Sequence, residues 1–149
     1  MPTHPQIVHF PVSLFIVAFL LEITSYFWKK EMFSFMSLIL LVLGTLAAFI
    51  AVQTGQAAET TAKIIPGIST LLHEHEEAAE TVFYLYLGIT VFKAGLMRFK
   101  KDILPWRFLI LAGLLAGTFL LYQAAYYGGK LVYDWGAGVK PVLEQHQNE

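Results

Sequence analysis

The sequence predicts an all-α integral membrane protein, a four-helix up-down-up-down bundle with both termini on the outer, periplasmic side. Three observations carry that expectation. Of 149 residues, 56% are hydrophobic and only 14% charged, with mean hydropathy +0.59. That is too little charge to cover a soluble domain of this size. Four apolar stretches reach the roughly 20 residues that a bilayer core requires. Two of the three connections are short, and short links make successive helices antiparallel neighbours.

The helices are expected at residues 6–28, 32–58, 70–98 and 103–127, a single domain over 1–149. The first apolar run is Val8–Trp28, retained as a helix because no basic n-region or small-residue cleavage site precedes it. The second is Phe33–Val52, extended through Ala58. The third is Ala78–Met97, starting earlier, near Thr70. The fourth is Ile103–Tyr127. Tight turns fall at Trp28–Glu31 and Arg98–Asp102. The middle connection, Glu59–Ser69, is longer and carries the break signal Pro66-Gly67. Ser69 or Thr70 is the expected N-cap of the third helix, with Glu74, Glu76 and Glu77 in its early turns.

Orientation follows from the cations. Lys29, Lys30, Arg98, Lys100, Lys101 and Arg107 gather at the first and third connections, against Lys63, Lys130 and Lys140 on the other side. The positive-inside rule puts the first and third connections in the cytoplasm. Trp28, Trp106 and Trp135 fall near expected span ends, where interfacial anchors sit.

Composition also excludes function classes. A net charge of −1 offers no basic surplus for phosphates, so nucleic acid is not a partner. The absence of cysteine excludes disulfides, thiolate catalysis, iron–sulfur clusters and CxxCH haem attachment.

All five histidines, His4, His9, His73, His75 and His146, lie on the outward half. The first and third helices run the same way, so His9 and a histidine of the HEHEE run can meet at similar depth. Two imidazoles on separate helices of a bundle suit b-type haem. Imidazole with carboxylate also suits zinc or copper. His73 and His75 are two residues apart and cannot both face one cofactor. His75 shares a face with Ala78, Ala79, Val82 and Tyr86, and His73 a more polar one with Glu77, Glu80 and Tyr84. His75 is therefore the expected ligand and His73 its substitute. His4 and His146 read as amphipathic end residues with wet tips. Glu22 reads as an interfacial acid near Lys29 or Lys30, in preference to a proton- or quinone-linked site, and Lys93 as a snorkelling cation. Gly44, Gly88, Gly95, Gly113 and Gly117 read as close helix packing.

The opening His4-Pro5-Gln6-Ile7-Val8-His9-Phe10-Pro11 resembles the HPxxVHFP hallmark of an uncharacterised family of bacterial four-helix predicted membrane proteins, a domain of unknown function. Gly129-Lys130-Leu131-Val132-Tyr133-Asp134-Trp135-Gly136-Ala137-Gly138-Val139 is similar to its closing GxLVYxxGxGV, and Gln53–Ala58 to its small-residue stretch after the second helix. The resemblance implies the bacterial inner membrane and, because related domains occur beside cytochrome c-like or Rieske-like modules, a redox role. Carried over by position, it makes His9 and His75 the axial ligands, with His4, Gly55, Gly129 and Gly136 as supporting positions. The extra histidine and acids of HEHEE depart from the pattern and keep His73 in play.

The expected function is thus a small membrane b-type cytochrome, an electron-transfer protein rather than a stand-alone enzyme, with bis-histidine haem b near the outer face. Two other classes stay open: a zinc- or copper-binding or assembly protein using the same histidines, and a haem-free structural subunit of a respiratory complex. Expected partners are membrane lipid and a redox protein or quinone, with a homodimer left open.

Overall fold

The computed structural model describes residues 4–28, 31–99 and 104–139. Lys29, Lys30, Lys100, Lys101, Lys140 and His146 lie outside the described residues. The chain is all-helical: α1 (His4–Ile7), α2 (His9–Trp28), α3 (Glu31–Ala62), α4 (Ser69–Arg98) and α5 (Leu104–Tyr133). A one-turn α1 leads through Val8 into α2, so the two act as a single membrane-crossing rod.

Each long helix buries one stripe at alternating three- and four-residue steps. The stripe is Pro11, Phe15, Ala18, Glu22 and Ser25 on α2, and Ser34, Ser37, Leu41, Gly44, Ala48 and Ala51 on α3. On α4 it is Leu72, Val82, Tyr86, Ile89, Lys93 and Leu96, and on α5 Ile110, Leu114, Gly117, Leu121, Ala124 and Leu131. A seven-residue repeat of this kind is the seam of near-parallel helix packing. Most other large apolar side chains point outward, among them Phe35, Leu46, Phe49, Leu115 and Phe119. In a bilayer that outer surface meets lipid rather than water.

Packing is closest within two hairpins, α2 with α3 and α4 with α5, which then join through α3 and α4. At mid-height the Phe15 and Tyr86 rings stack with centroids 3.6 Å apart. Gly44 makes room for Phe15 and Gly117 for Tyr86, since a Cβ at either would stand under 3.0 Å from the ring. Gly113 meets Ile89, whereas Gly88 and Gly95 have nothing within 4 Å. The close-packing expectation thus describes three of those five glycines, and the other two lie on the open face of α4.

α2 with its prelude, α3 and α5 are long and apolar enough to cross a membrane. The fourth long helix, α4, is more polar, because its first turns carry His73, Glu74, His75, Glu76, Glu77 and Glu80. At about 1.5 Å per residue a 32-residue helix is about 48 Å long, against a hydrocarbon core of about 30 Å. The excess puts the last turns of α3 and α5 and the first turns of α4 at or beyond the interface.

Several boundaries differ from expectation. α3 runs on to Ala62 and α5 to Tyr133, through Gly128 and Gly129, because neighbours pack against those turns. The cap of α4 is Ile68, which has helical dihedrals and makes no side-chain cap bond, so neither Ser69 nor Thr70 caps it. A second apolar cluster replaces the cap: Ala62, Ile65, Ile68, Leu72 and Leu131, with Trp135 against them. Trp135 lies over Gly67, whose φ of +83° is the left-handed turn that breaks the connection. It is thus part of a lid over this end of the bundle as well as an interfacial aromatic.

Candidate functional site

Two polar centres interrupt the apolar interior, one at each end. The end with the α3–α4 connection and both termini is called the terminal end, and the opposite one the loop end.

At the terminal end, His4 and His75 face each other with ring centroids 6.2 Å apart and planes at 73°. His75 Nδ1 lies 3.0 Å from the carbonyl of Ala124 on α5. A carbonyl only accepts, so Nδ1 carries the proton and Nε2 the lone pair. His4 Nδ1 lies 3.3 Å from Thr54 Oγ1 on α3. The Thr54 hydroxyl donates to the carbonyls of Ile50 and Ala51, so its lone pair accepts from His4 Nδ1. Both imidazoles are therefore oriented through Nδ1, with no partner to either Nε2 among the described residues, the outer-shell arrangement of histidine ligands. Each ring rests on a glycine. A Cβ on Gly55 would stand 3.0 Å from His4 Cε1, and one on Gly128 would stand 3.0 Å from His75 Cε1. Gly129, the expected supporting glycine, has nothing within 4 Å.

The expected pair of His9 with His75 is not the one brought together. His9 begins α2 with its side chain exposed. Five residues at about 100° each put His4 and His9 about 140° apart around the rod, so only one can face inward. His4 precedes Pro11 and Ala18 by seven-residue steps and so continues the buried stripe. Pro11 lies in the first turn of α2, where its missing N–H costs little. His73 points outward, 3.3 Å from Glu77, with both side chains about 70% exposed. Nearby, Gln56 donates to Glu80 at 3.2 Å, and Glu59 accepts from Lys63 at 2.8 Å. That hydrogen bond holds the Lys63 ammonium above its usual range.

The site can be tested against its candidate occupants. Two imidazoles, each engaged through Nδ1, are ligands suited to haem iron, zinc or copper, and His4 and His75 are the residues that would hold such a group. Among the described residues, no three or more His, Cys, Asp or Glu side chains gather as a metal-holding group. An ion that takes three or four protein ligands therefore lacks a donor set there.

At the loop end, Glu22 and Lys93 are buried, 2% and 1% exposed. Lys93 Nζ donates to Glu22 Oε2 at 2.6 Å and to Ser34 Oγ at 2.7 Å. Ser25 Oγ donates to the Glu22 carbonyl at 2.8 Å and accepts from Arg107 Nη2 at 2.9 Å. Glu22 is thus no interfacial acid and Lys93 does not snorkel. Each charge would cost about 2.5–3.5 kcal/mol alone at the centre of a membrane helix, and each finds the other instead. Between the two centres, the hydroxyls of Thr45 and Thr90 meet at 3.1 Å, and the fully buried Tyr86 hydroxyl has no hydrogen-bond partner among the described residues.

Comparison with known proteins fits this picture of a membrane bundle. The model of a family described as predicted membrane protein, DUF2231, matches residues 1–141. The chain belongs to the DUF2231 family. No curated protein and no solved structure matches it. Membership in DUF2231 makes it a membrane protein and assigns it no activity. The site described above is therefore the basis for any functional reading of this DUF2231 chain.

Proposed function

We propose that the chain is a small membrane b-type cytochrome that holds one haem at its terminal end through His4 and His75. The single observation carrying this reading is the facing pair of imidazoles, 6.2 Å apart, with Nδ1 of each engaged by an oxygen. Bound there, haem would supply one-electron chemistry, and two imidazole ligands favour electron transfer over oxygen binding. The protein's own residues do the holding. Ala124 and Thr54 fix the tautomers, Gly55 and Gly128 leave the rings their space, and α1, α3, α4 and α5 set their spacing. The basic excess at the first and third connections supports an outward-facing terminal end in the bacterial inner membrane. The electron partner is then a periplasmic protein or a membrane quinone. A zinc or copper ion on the same two rings is the rival reading, and it needs ligands from outside the described residues or a second chain.

The test is the visible spectrum of protein purified in detergent after expression with haem supplied. A reducible Soret band with sharp α and β bands is expected. His4→Ala and His75→Ala each lose it, and His9→Ala keeps it. A colourless wild-type protein overturns the proposal, and metal analysis then tests the rival.

A further inference from the structure

The haem reading does not use the buried centre at the loop end. We propose that Glu22, Lys93 and Ser34 form an intramembrane proton-exchange site near the loop end.

Four features of the structure support it. First, the contact is short and one-sided. Lys93 Nζ lies 2.6 Å from Glu22 Oε2 and 2.7 Å from Ser34 Oγ, which leaves its third N–H without an acceptor among the described residues. Transfer from Lys93 Nζ to Glu22 Oε2 leaves an amine and a carboxylic acid. The pair carries zero net charge before and after, so the step brings no new charge into the hydrocarbon.

Second, the pair lies near one end of the bundle. Glu22 lies six residues from the end of α2, and Ser34 three from the start of α3. Those distances are about 9 Å and 5 Å along the helices. Arg107, in the first turn of α5 and only part-buried, donates to Ser25, which donates to the backbone of Glu22.

Third, three long helices hold the pair: Glu22 comes from α2, Ser34 from α3 and Lys93 from α4. Beside it, Ser25 and, through Ser25, Arg107 on α5 hold the backbone carbonyl of Glu22.

Fourth, stability alone does not call for such a pair. Buried ion pairs are commonly matched or bettered by apolar side chains of similar size. Intramembrane acids and bases that do persist mark functional sites, proton relays among them. α4 carries its stripe upward from Lys93 to Thr90 and Tyr86, whose hydroxyl, unpartnered among the described residues, marks the inner limit of these polar groups.

The test uses the full chain in lipid vesicles and follows carboxyl C=O absorption by infrared difference spectroscopy from about pH 4 to pH 10, in H2O and D2O. A protonated-carboxyl band that titrates and shifts promptly in D2O is expected, and Glu22→Gln removes it. Lys93→Met, which takes away the counter-charge, moves its midpoint upward by about one pH unit or more. Ser34→Ala keeps both charges and is the variant to use where the others do not fold; it shifts the midpoint without abolishing the band. A Glu22 carboxylate that neither titrates across this range nor responds to D2O overturns the proposal and leaves a static lock between helices. The outcome is independent of haem content, so it neither rescues nor sinks the cytochrome reading.

Discussion

Glu22 and Lys93, 71 residues apart in sequence, meet at 2.6 Å inside the bundle and join its two hairpins. α2 packs mainly on α3 and α4 mainly on α5. The ion pair crosses from the first hairpin to the second, and the Arg107–Ser25 bond crosses beside it.

Removing one member leaves the other buried and uncompensated. Lys93→Met is therefore expected to cost about 3–5 kcal/mol of stability, and Glu22→Gln a similar amount. The apolar double variant Glu22→Leu with Lys93→Leu should recover most of that loss. Thermal unfolding in detergent, followed by circular dichroism, measures all three. Single variants as stable as the wild type would mean that the pair is not buried in the folded protein.

The two glycines under the histidine rings supply a second prediction. Alanine at Gly55 or Gly128 puts a methyl 3.0 Å from an imidazole carbon, so the ring must give by a few tenths of an ångström. The backbone stays helical, and alanine favours the helix by about 1 kcal/mol. Folding should therefore survive while cofactor retention falls. Gly129→Ala meets nothing within 4 Å and is the matched control. Haem content per protein, read from absorbance, should drop in the first two and hold in the third.

Much of this was legible in the sequence, and the misses have a common physical cause. Composition and the four apolar runs specify a helical membrane bundle, because hydrocarbon forces the backbone to bond within itself. His75 could be placed because its neighbours at three, four, seven and eleven residues, Ala78, Ala79, Val82 and Tyr86, are small or apolar. The same seven-residue step was available elsewhere. His4, Pro11, Ala18 and Ser25 are each seven apart, Glu22 follows Phe15 by seven, and Lys93 follows Tyr86 by seven. Reading His4, Glu22 and Lys93 as polar side chains that seek water hides this, because their position on the stripe outweighs their individual preference. What the sequence cannot show is which stripes face each other. The meeting of Glu22 with Lys93, and of His4 with His75, depends on the packing of the two hairpins.

Gly117 offers a sharper test of the core than any large side chain. A Cβ there would lie 2.9 Å from two Tyr86 ring carbons, and Tyr86 is held from the other side by Phe15 at 3.6 Å. With rings on one side and backbone on the other, there is nowhere to yield. Gly117→Ala should destabilise by about 1–3 kcal/mol through overpacking. Gly88→Ala, on the open face of the neighbouring helix, should be neutral or stabilising by up to about 1 kcal/mol. Equal effects at the two positions would contradict the stacked arrangement.

The terminal end has its own closure, and Gly67 tests it. Its φ of +83° disfavours any residue with a Cβ, and that Cβ would also stand 3.2 Å from the Trp135 ring. Gly67→Ala therefore meets backbone strain of about 1–2 kcal/mol and pushes Trp135 off the connection. The effect should stay local, since Ile65, Ile68, Leu72 and Leu131 form a cluster separate from the central core. Limited proteolysis should cut the connection between α3 and α4 faster in the variant, while the thermal midpoint of the bundle moves little. Because the helices bearing His4's partner Thr54 and His75 are joined by this connection, haem loss faster than in the wild type is also expected. Unchanged cleavage would mean that Trp135 does not cover the turn.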